Sequence, residues 1–216
     1  MKNTLNKIYN LDCIYGMKEF ENNKVDFTIT DIPYNAVSRN SNGLRNLDKK
    51  DADIITFDLN IFLEELFRIT TNSIVIFCGK EQFSSIFSFF ASKKGTTRPI
   101  VWEKSNPSPM NGKYIYLSGI ELAVWFKKSG AKTFNAFCKN TVFKYPNGST
   151  KLHPTEKNHK LLSELIIDNT NDGDIVFDPC CGSGSHLLVS KQLNRNFVGF
   201  EINEEYYKIA IKRLLD

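Results

Sequence analysis

Asp31, Ile32, Pro33 and Tyr34 are contiguous, and together they have the chemistry to grip a planar base by its amino group. An acid accepts a hydrogen bond from an amine, a proline restricts the backbone so that a neighbouring carbonyl keeps its direction, and an aromatic ring offers a stacking face. The exocyclic amine of a nucleobase is a poor nucleophile because its lone pair is delocalised into the ring. Hydrogen bonds from its two N–H groups to the Asp31 carboxylate and the Ile32 carbonyl favour a pyramidal nitrogen, able to attack a methyl carbon in line with no covalent enzyme intermediate. Orientation would supply most of the rate, with Asp31 assisting electrostatically and as a proton acceptor. The plainer role for Tyr34 is core packing.

A second group of chemical interest is Phe177-Asp178-Pro179-Cys180-Cys181-Gly182-Ser183-Gly184-Ser185. Its glycines permit a tight turn and close approach of a ligand to the backbone, with amides at a helix start available to an anionic group. Gly-x-Gly alone is a weak signal and is equally an ordinary strand-to-helix turn. Glu201 strengthens it, because an acid closing the next strand is placed to accept hydrogen bonds from ribose hydroxyls. A nicotinamide dinucleotide fits the same two features, although that fingerprint usually lies near the start of its domain and this one lies near the C-terminus.

Both groups need strands to carry them. Val25–Thr30, Ser73–Cys78, Pro99–Glu103, Asp174–Phe177 and Asn196–Glu201 are short apolar runs that predict buried strands. Leu59–Ile69, Gln82–Lys93, Lys160–Asn169, Ser185–Leu193 and Glu204–Leu215 carry apolar residues at spacings of three and four and predict helices. The alternation predicts an α/β fold with a mostly parallel twisted sheet, helices on both faces, and Gly119–Lys127 as an antiparallel edge strand. Ligands then bind beyond the carboxyl ends of the strands, where both groups fall. The polar stretch 35–53 has no period and reads as a long mobile loop directly after the tetrad.

With 41% hydrophobic residues over 216 positions, the chain can bury one core, and a single domain over 1–216 is expected. No apolar run reaches the length of a membrane span and the first residues do not form a signal peptide, so a cytoplasmic protein is expected. The five cysteines show neither a disulfide framework nor a zinc spacing, and no metal is expected. Net charge is only +4, but thirteen Lys and Arg stand against three acids between Ala91 and Lys160. That segment is interleaved with Trp102, Tyr114, Tyr116, Trp125 and Tyr145, which suits a phosphate backbone and equally describes a solvated lysine-rich face.

Taken in order, Asp12-Cys13, Asp31-Ile32-Pro33-Tyr34, Trp102–Pro107, His153-Pro154-Thr155-Glu156-Lys157, the glycine loop and Glu201 resemble the beta-group, circularly permuted amino DNA methyltransferases over essentially the whole chain. The resemblance implies a Rossmann-like class I methyltransferase fold, S-adenosylmethionine as cofactor and DNA as substrate, with the target base flipped out of the duplex. It implies that Asp178, Cys180, Gly182, Ser183, Gly184 and Ser185 line the methionine and sugar end of the cofactor, that Glu201 holds its ribose, and that Asp31 borders it. By the same resemblance Asp12 reads the cofactor adenine with Cys13 packed beside it, and His153, Thr155 and Lys157 form the element in which Lys157 or Thr155 meets the cofactor carboxylate.

The family's commoner tetrad has proline where Ile32 stands, so slight loosening without loss of activity is expected. Asp31, where cytosine-N4 members usually carry Ser, tilts the target to adenine N6; the alternatives are cytosine N4 in DNA, an amine in RNA, or a non-catalytic nucleic-acid-binding relative, against which the intact Asp31, Pro33, Tyr34 and Gly182-Ser183-Gly184 argue. Cys180 could suggest the thiolate nucleophile of cytosine-C5 methylation, but its place in the cofactor loop makes Cys180 and Cys181 small packing residues. The resemblance puts a short target-recognition region at about 104–150. Lys104, Asn106, Lys113, Lys127, Lys128, Lys132 and Lys139 are candidate phosphate contacts, and Arg39, Arg45, Lys49 and Lys50 could close over the substrate. A short recognition region implies a short target site, with room for help from a second subunit in a homodimer.

Overall fold

The fold is described from a computed structural model, over residues 5–34, 56–109, 112–147 and 157–215. In chain order the elements are β1 (Lys7–Asn10), α1 (Cys13–Lys18), β2 (Val25–Asp31), α2 (Leu59–Ile69), β3 (Thr70–Cys78), α3 (Lys80–Ala91), β4 (Gly95–Lys104), β5 (Ile120–Lys128), β6 (Val142–Tyr145), α4 (His159–Asn169), β7 (Ile175–Asp178), α5 (Ser185–Gln192), β8 (Asn196–Glu201) and α6 (Glu204–Leu215). The eight strands form one sheet in the order β1-β8-β7-β2-β3-β5-β4-β6.

Strand alternation sorts side chains onto two covered faces. Ile74, Ile76 and Cys78 of β3 join Met17 of α1, Leu63 and Leu66 of α2 and Ile86 and Phe90 of α3 on one face. Val75 and Phe77 turn the other way and meet Leu161, Leu165 and Ile166 of α4 and Val189 of α5. Sequestration of both faces explains why the central strands read as continuous apolar runs. The helix starts are set locally, by Asp58 accepting from the Ile61 amide at 3.0 Å and by Asn158 accepting from the Lys160 amide at 2.9 Å.

Among the described residues β5 alone runs against its neighbours, but it is not the expected edge strand. It lies between β3 and β4, antiparallel to both, and β6 pairs parallel with β4 to form the edge. Both of its faces are then covered, Val124 and Phe126 on one and Ala123 on the other. β1, α1 and β6 have no counterpart in the sequence-based elements. The loop expected at 35–53 lies outside the described residues.

Candidate active site

The parallel strands end together, so Asn10, Cys78, Asp178 and Glu201 share one rim of the sheet with Asp31. β5 runs backwards and contributes its beginning, Glu121, to the same rim, where β4 delivers Lys104.

Asp31 closes β2, and the backbone beyond it is held by two bonds. The Ile32 amide donates to the Phe77 carbonyl at 3.2 Å, continuing the ladder to β3, while its side chain is buried in the core. A proline there could not donate. The expected loosening is therefore offset by a hydrogen bond that only the non-proline residue makes. Gln82 of α3 donates to the Pro33 carbonyl at 2.8 Å and accepts from the Gly79 amide at 2.8 Å, fastening the turn to the helix start. Tyr34 lies over Gly79, where an added Cβ would come within 3.5 Å of the tyrosine Cβ.

Four charges alternate across the rim. Lys157 Nζ donates to Asp31 Oδ2 at 2.6 Å and to Tyr34 Oη at 3.2 Å. Glu121 Oε2 lies 2.9 Å from the same ammonium, outside hydrogen-bond geometry, so that contact is ionic. Lys104 Nζ closes the series at 2.6 Å from Glu121 Oε1. Lys157 is only 4% exposed, with the rings of Tyr34 and Phe77 centred 5.4 and 5.2 Å away. Burial alone would pull its pKa down, but Asp31, then Tyr34 and Glu121 outweigh it and hold the ammonium charged well above the ordinary lysine range. Burial would raise Glu121, yet Lys157 and Lys104 keep it below the usual carboxylate range. Burial, with Asp31 next, pushes the Tyr34 phenol well up, so it stays protonated. Asp31 Oδ1, by contrast, is buried and has no hydrogen-bond partner among the described residues.

The glycine loop follows β7, the strand paired directly with β2. Cys181 donates to the Phe200 carbonyl at 2.9 Å and the Gly182 amide to Glu201 Oε2 at 2.7 Å, while the Asn203 amide donates to Glu201 Oε1 at 2.8 Å. Gly182 has φ +50° and nothing within 4 Å of the position its Cβ would take. A side chain there would be strained and would fill the space a ligand needs, so the loop fits a cofactor that presses on the backbone. Gly184 caps α5 at φ +80°. Burial raises the Glu201 pKa, only partly offset by the Asn203 and Gly182 amides. Asp178, fully buried, receives the Cys180 amide at 3.1 Å and pairs with His186 Nδ1 at 2.6 Å. Ser183 and Ser185 hydroxyls both accept from Arg213 of α6, at 3.1 and 3.3 Å. Asp12 caps α1 through the Tyr15 amide at 2.9 Å, and the neighbouring Leu11 amide reaches the Glu201 carbonyl at 3.1 Å, which puts Asp12 near Glu201. Contact with the Cys13 thiol and burial push the Cys180 thiol well up, and burial does the same to Cys181. Both thiols therefore resist ionisation, as expected of packing residues.

The expected residues thus divide. Asp31, Ile32, Pro33, Tyr34 and Lys157 come together, as do Asp12, Cys13, Asp178, Cys180, Gly182, Ser183, Gly184, Ser185 and Glu201. Lys157 faces Asp31 and Glu121. His153, Thr155, Arg39, Arg45, Lys49 and Lys50 lie outside the described residues. Of the basic set, Lys104, Asn106 and Lys113 are on the rim side, although Lys104 is engaged by Glu121 and Asn106 binds the Asn147 amide at 2.6 Å. Lys127 pairs with Ser73 at the start of β3, the opposite end of the sheet, and Lys128 reaches Asn23 at 3.2 Å. Lys139 is held by Asp168 at 2.6 Å and Glu164 at 3.0 Å, and Lys132 follows Lys128 away from the rim. The structure does not bring these four to the tetrad.

Glu121, Gln82, His186 and Arg213 escaped sequence reading. Only Glu121 left a trace, as a lone acid inside the apolar run 120–126. Among the described residues no group of His, Cys, Asp or Glu is arranged to hold a metal, and no helix is long and apolar enough to cross a membrane.

Residues 25–212 match the family described as DNA methylase, of N6 and N4 amino specificity. Type II methyltransferase M.HpaI of Haemophilus parainfluenzae is 30% identical over 94% of this chain and 72% of its own length. M2.DpnII of Streptococcus pneumoniae is 32% identical over 53% of the chain, which spans about half the length of that relative. The crystal structure of an M1.HpyAVI–SAM complex superposes with a TM-score of 0.75 at 31% identity, covering 96% of this chain and 98% of that one. The cytosine-N4-specific PvuII DNA methyltransferase, at 16% identity and TM-score 0.75 over 99% and 88%, shares the fold.

Proposed function

This chain belongs to the N6/N4 DNA methyltransferase family, whose cofactor is S-adenosylmethionine, and we propose that it methylates the N6 amine of adenine in a short DNA target. The observation that carries this reading is the divided state of Asp31: Oδ2 is bound by Lys157, while Oδ1 is buried and unpartnered among the described residues. A buried acceptor without a donor is costly unless the substrate supplies one.

One N–H of the amine donates to Asp31 Oδ1 and the other to the Ile32 carbonyl, localising the nitrogen lone pair. Tyr34 stacks on the flipped base, and its raised pKa keeps the phenol neutral. Lys157 keeps the carboxylate fixed in direction, and Oδ1 takes the proton released as the N–C bond forms. Glu201, the Gly182 loop and Asp12 hold the cofactor, which supplies an electrophilic sulfonium methyl. The choice of adenine rests on an acid at position 31. The beta-group reading rests on chain order, with tetrad strand β2 ahead of glycine-loop strand β7. Lys113 and the arginines and lysines of 39–50 are the favoured phosphate contacts, within a recognition region at about 104–150.

Transfer of labelled methyl to plasmid DNA followed by nucleoside analysis should yield N6-methyladenine. N4-methylcytosine would overturn the base assignment. Asp31→Ala should lower the transfer rate by about 10²–10⁴-fold while leaving S-adenosylhomocysteine binding intact, and unchanged transfer would sink the mechanism.

A further inference from the structure

The hairpin between β4 and β5 ends in a tip that is apolar and stands in water. Tyr114 is 80% exposed, Ile115 62%, and Tyr116 fully so, three large side chains in succession. The tip is anchored, not frayed. The Lys104 amide donates to the Gly119 carbonyl at 2.8 Å across the stem, the Gly119 amide donates to the Leu117 carbonyl at 2.9 Å, and Gly112 lies so close to Leu117 that a Cβ would meet its Cδ2 at 2.8 Å. Below that stem, Lys104, Glu121, Lys157 and Asp31 follow one another through contacts of 2.6, 2.9 and 2.6 Å. The aromatic tip is therefore rooted in the ion chain that ends on the base-holding carboxylate.

We infer that Tyr114–Tyr116 is a wedge that enters the base stack of duplex DNA beside the target, with Tyr116 filling the gap left by the flipped base. The inference rests on the DNA reading above. A base leaving the stack exposes the faces of its neighbours, and a phenol ring of similar thickness restores part of the lost stacking. Contiguous exposed apolar side chains mark an interaction surface. The chemistry around the tip selects the partner: the exposed Lys113 places its Nζ 5.6 Å from the Tyr114 ring centroid, a cation beside stacking rings that suits a phosphate backbone flanking bases.

The test uses duplexes carrying the site found by modification-detecting sequencing of DNA methylated by the intact protein. In one the target base is paired, and in the other it faces an abasic position. Tyr116→Ala should lower kcat/KM on the paired duplex by about 10- to 100-fold. On the duplex whose target is already unpaired it should return to within about threefold of the unaltered protein, and Tyr116→Phe should behave as the unaltered protein on both. Equal loss on the two duplexes, or no loss on the paired one, would overturn the wedge. So would a change from dimer to monomer in sedimentation velocity without rescue by the abasic duplex, which would make the tip a self-association surface. Absence of any methyl transfer to DNA by the unaltered protein would instead remove the functional reading itself.

Discussion

Asp31 has one oxygen committed and one free because Lys157, far along the chain, folds back onto it. Removing the ammonium leaves the part-buried Asp31 without its countercharge and Glu121 with Lys104 alone. Lys157→Met should lower unfolding free energy by about 3–5 kcal/mol in urea titration, and Glu121→Gln added to it should recover part of the loss. A second test concerns Glu201. Burial raises its pKa above the unfolded value of about 4.3, so proton uptake favours the folded state as pH falls through the folded pKa. If Glu201 holds the cofactor as proposed, binding has the opposite sign, because ribose hydroxyls donate best to the ionised acid. Calorimetric titration of S-adenosylhomocysteine from pH 8 to 5 should show affinity falling at the acid end, and Glu201→Gln should bind weakly with a flatter profile.

Elements decide what was legible. β8 and α2 have the bounds their local patterns indicate, and the tetrad could be placed at the end of β2 because Val25, Phe27 and Ile29 recur at every second position up to it. β1 and β6, four residues each, have no such signal; Lys7–Asn10 is a strand only because it pairs with Val198–Glu201, and Val142–Tyr145 because it pairs with Val101–Lys104. Glu121 was hidden for the same reason. An acid in an apolar run acquires meaning only when an antiparallel strand brings it to Lys157. Gly199, read simply as a strand residue, turns out to admit Leu187: a Cβ there would lie 2.4 Å from Leu187 Cδ1 and 3.3 Å from the Asp178 carbonyl. Gly199→Ala should cost about 1–3 kcal/mol in thermal unfolding. It should also weaken cofactor binding through the displaced loop, with Leu187→Ala relieving part of both.

Across the whole molecule, the positive charge that looked like one DNA-binding stretch divides between two poles. Lys113 is exposed on the side of the tetrad, whereas Lys132 is exposed toward the other end of the sheet. Lys113→Glu should weaken DNA binding and reduce the magnitude of the slope of log K against log salt by about one, while Lys132→Glu should leave both nearly unchanged in fluorescence anisotropy titrations. Charge counting could not see this division, since Lys113 and Lys127 are near neighbours in sequence and are separated only by the length of β5. The same strand has a consequence for how such a protein diversifies. Because β4 and β5 are zipped together from Gly95 and Lys128 up to Glu103 and Ile120, and Ser105 and Asn106 still bond to Tyr145 and Asn147, the register of the sheet is set before the exposed tip at Lys113–Tyr116 begins. A tip of another sequence could therefore be carried on the same pair of strands without disturbing the rim beneath it.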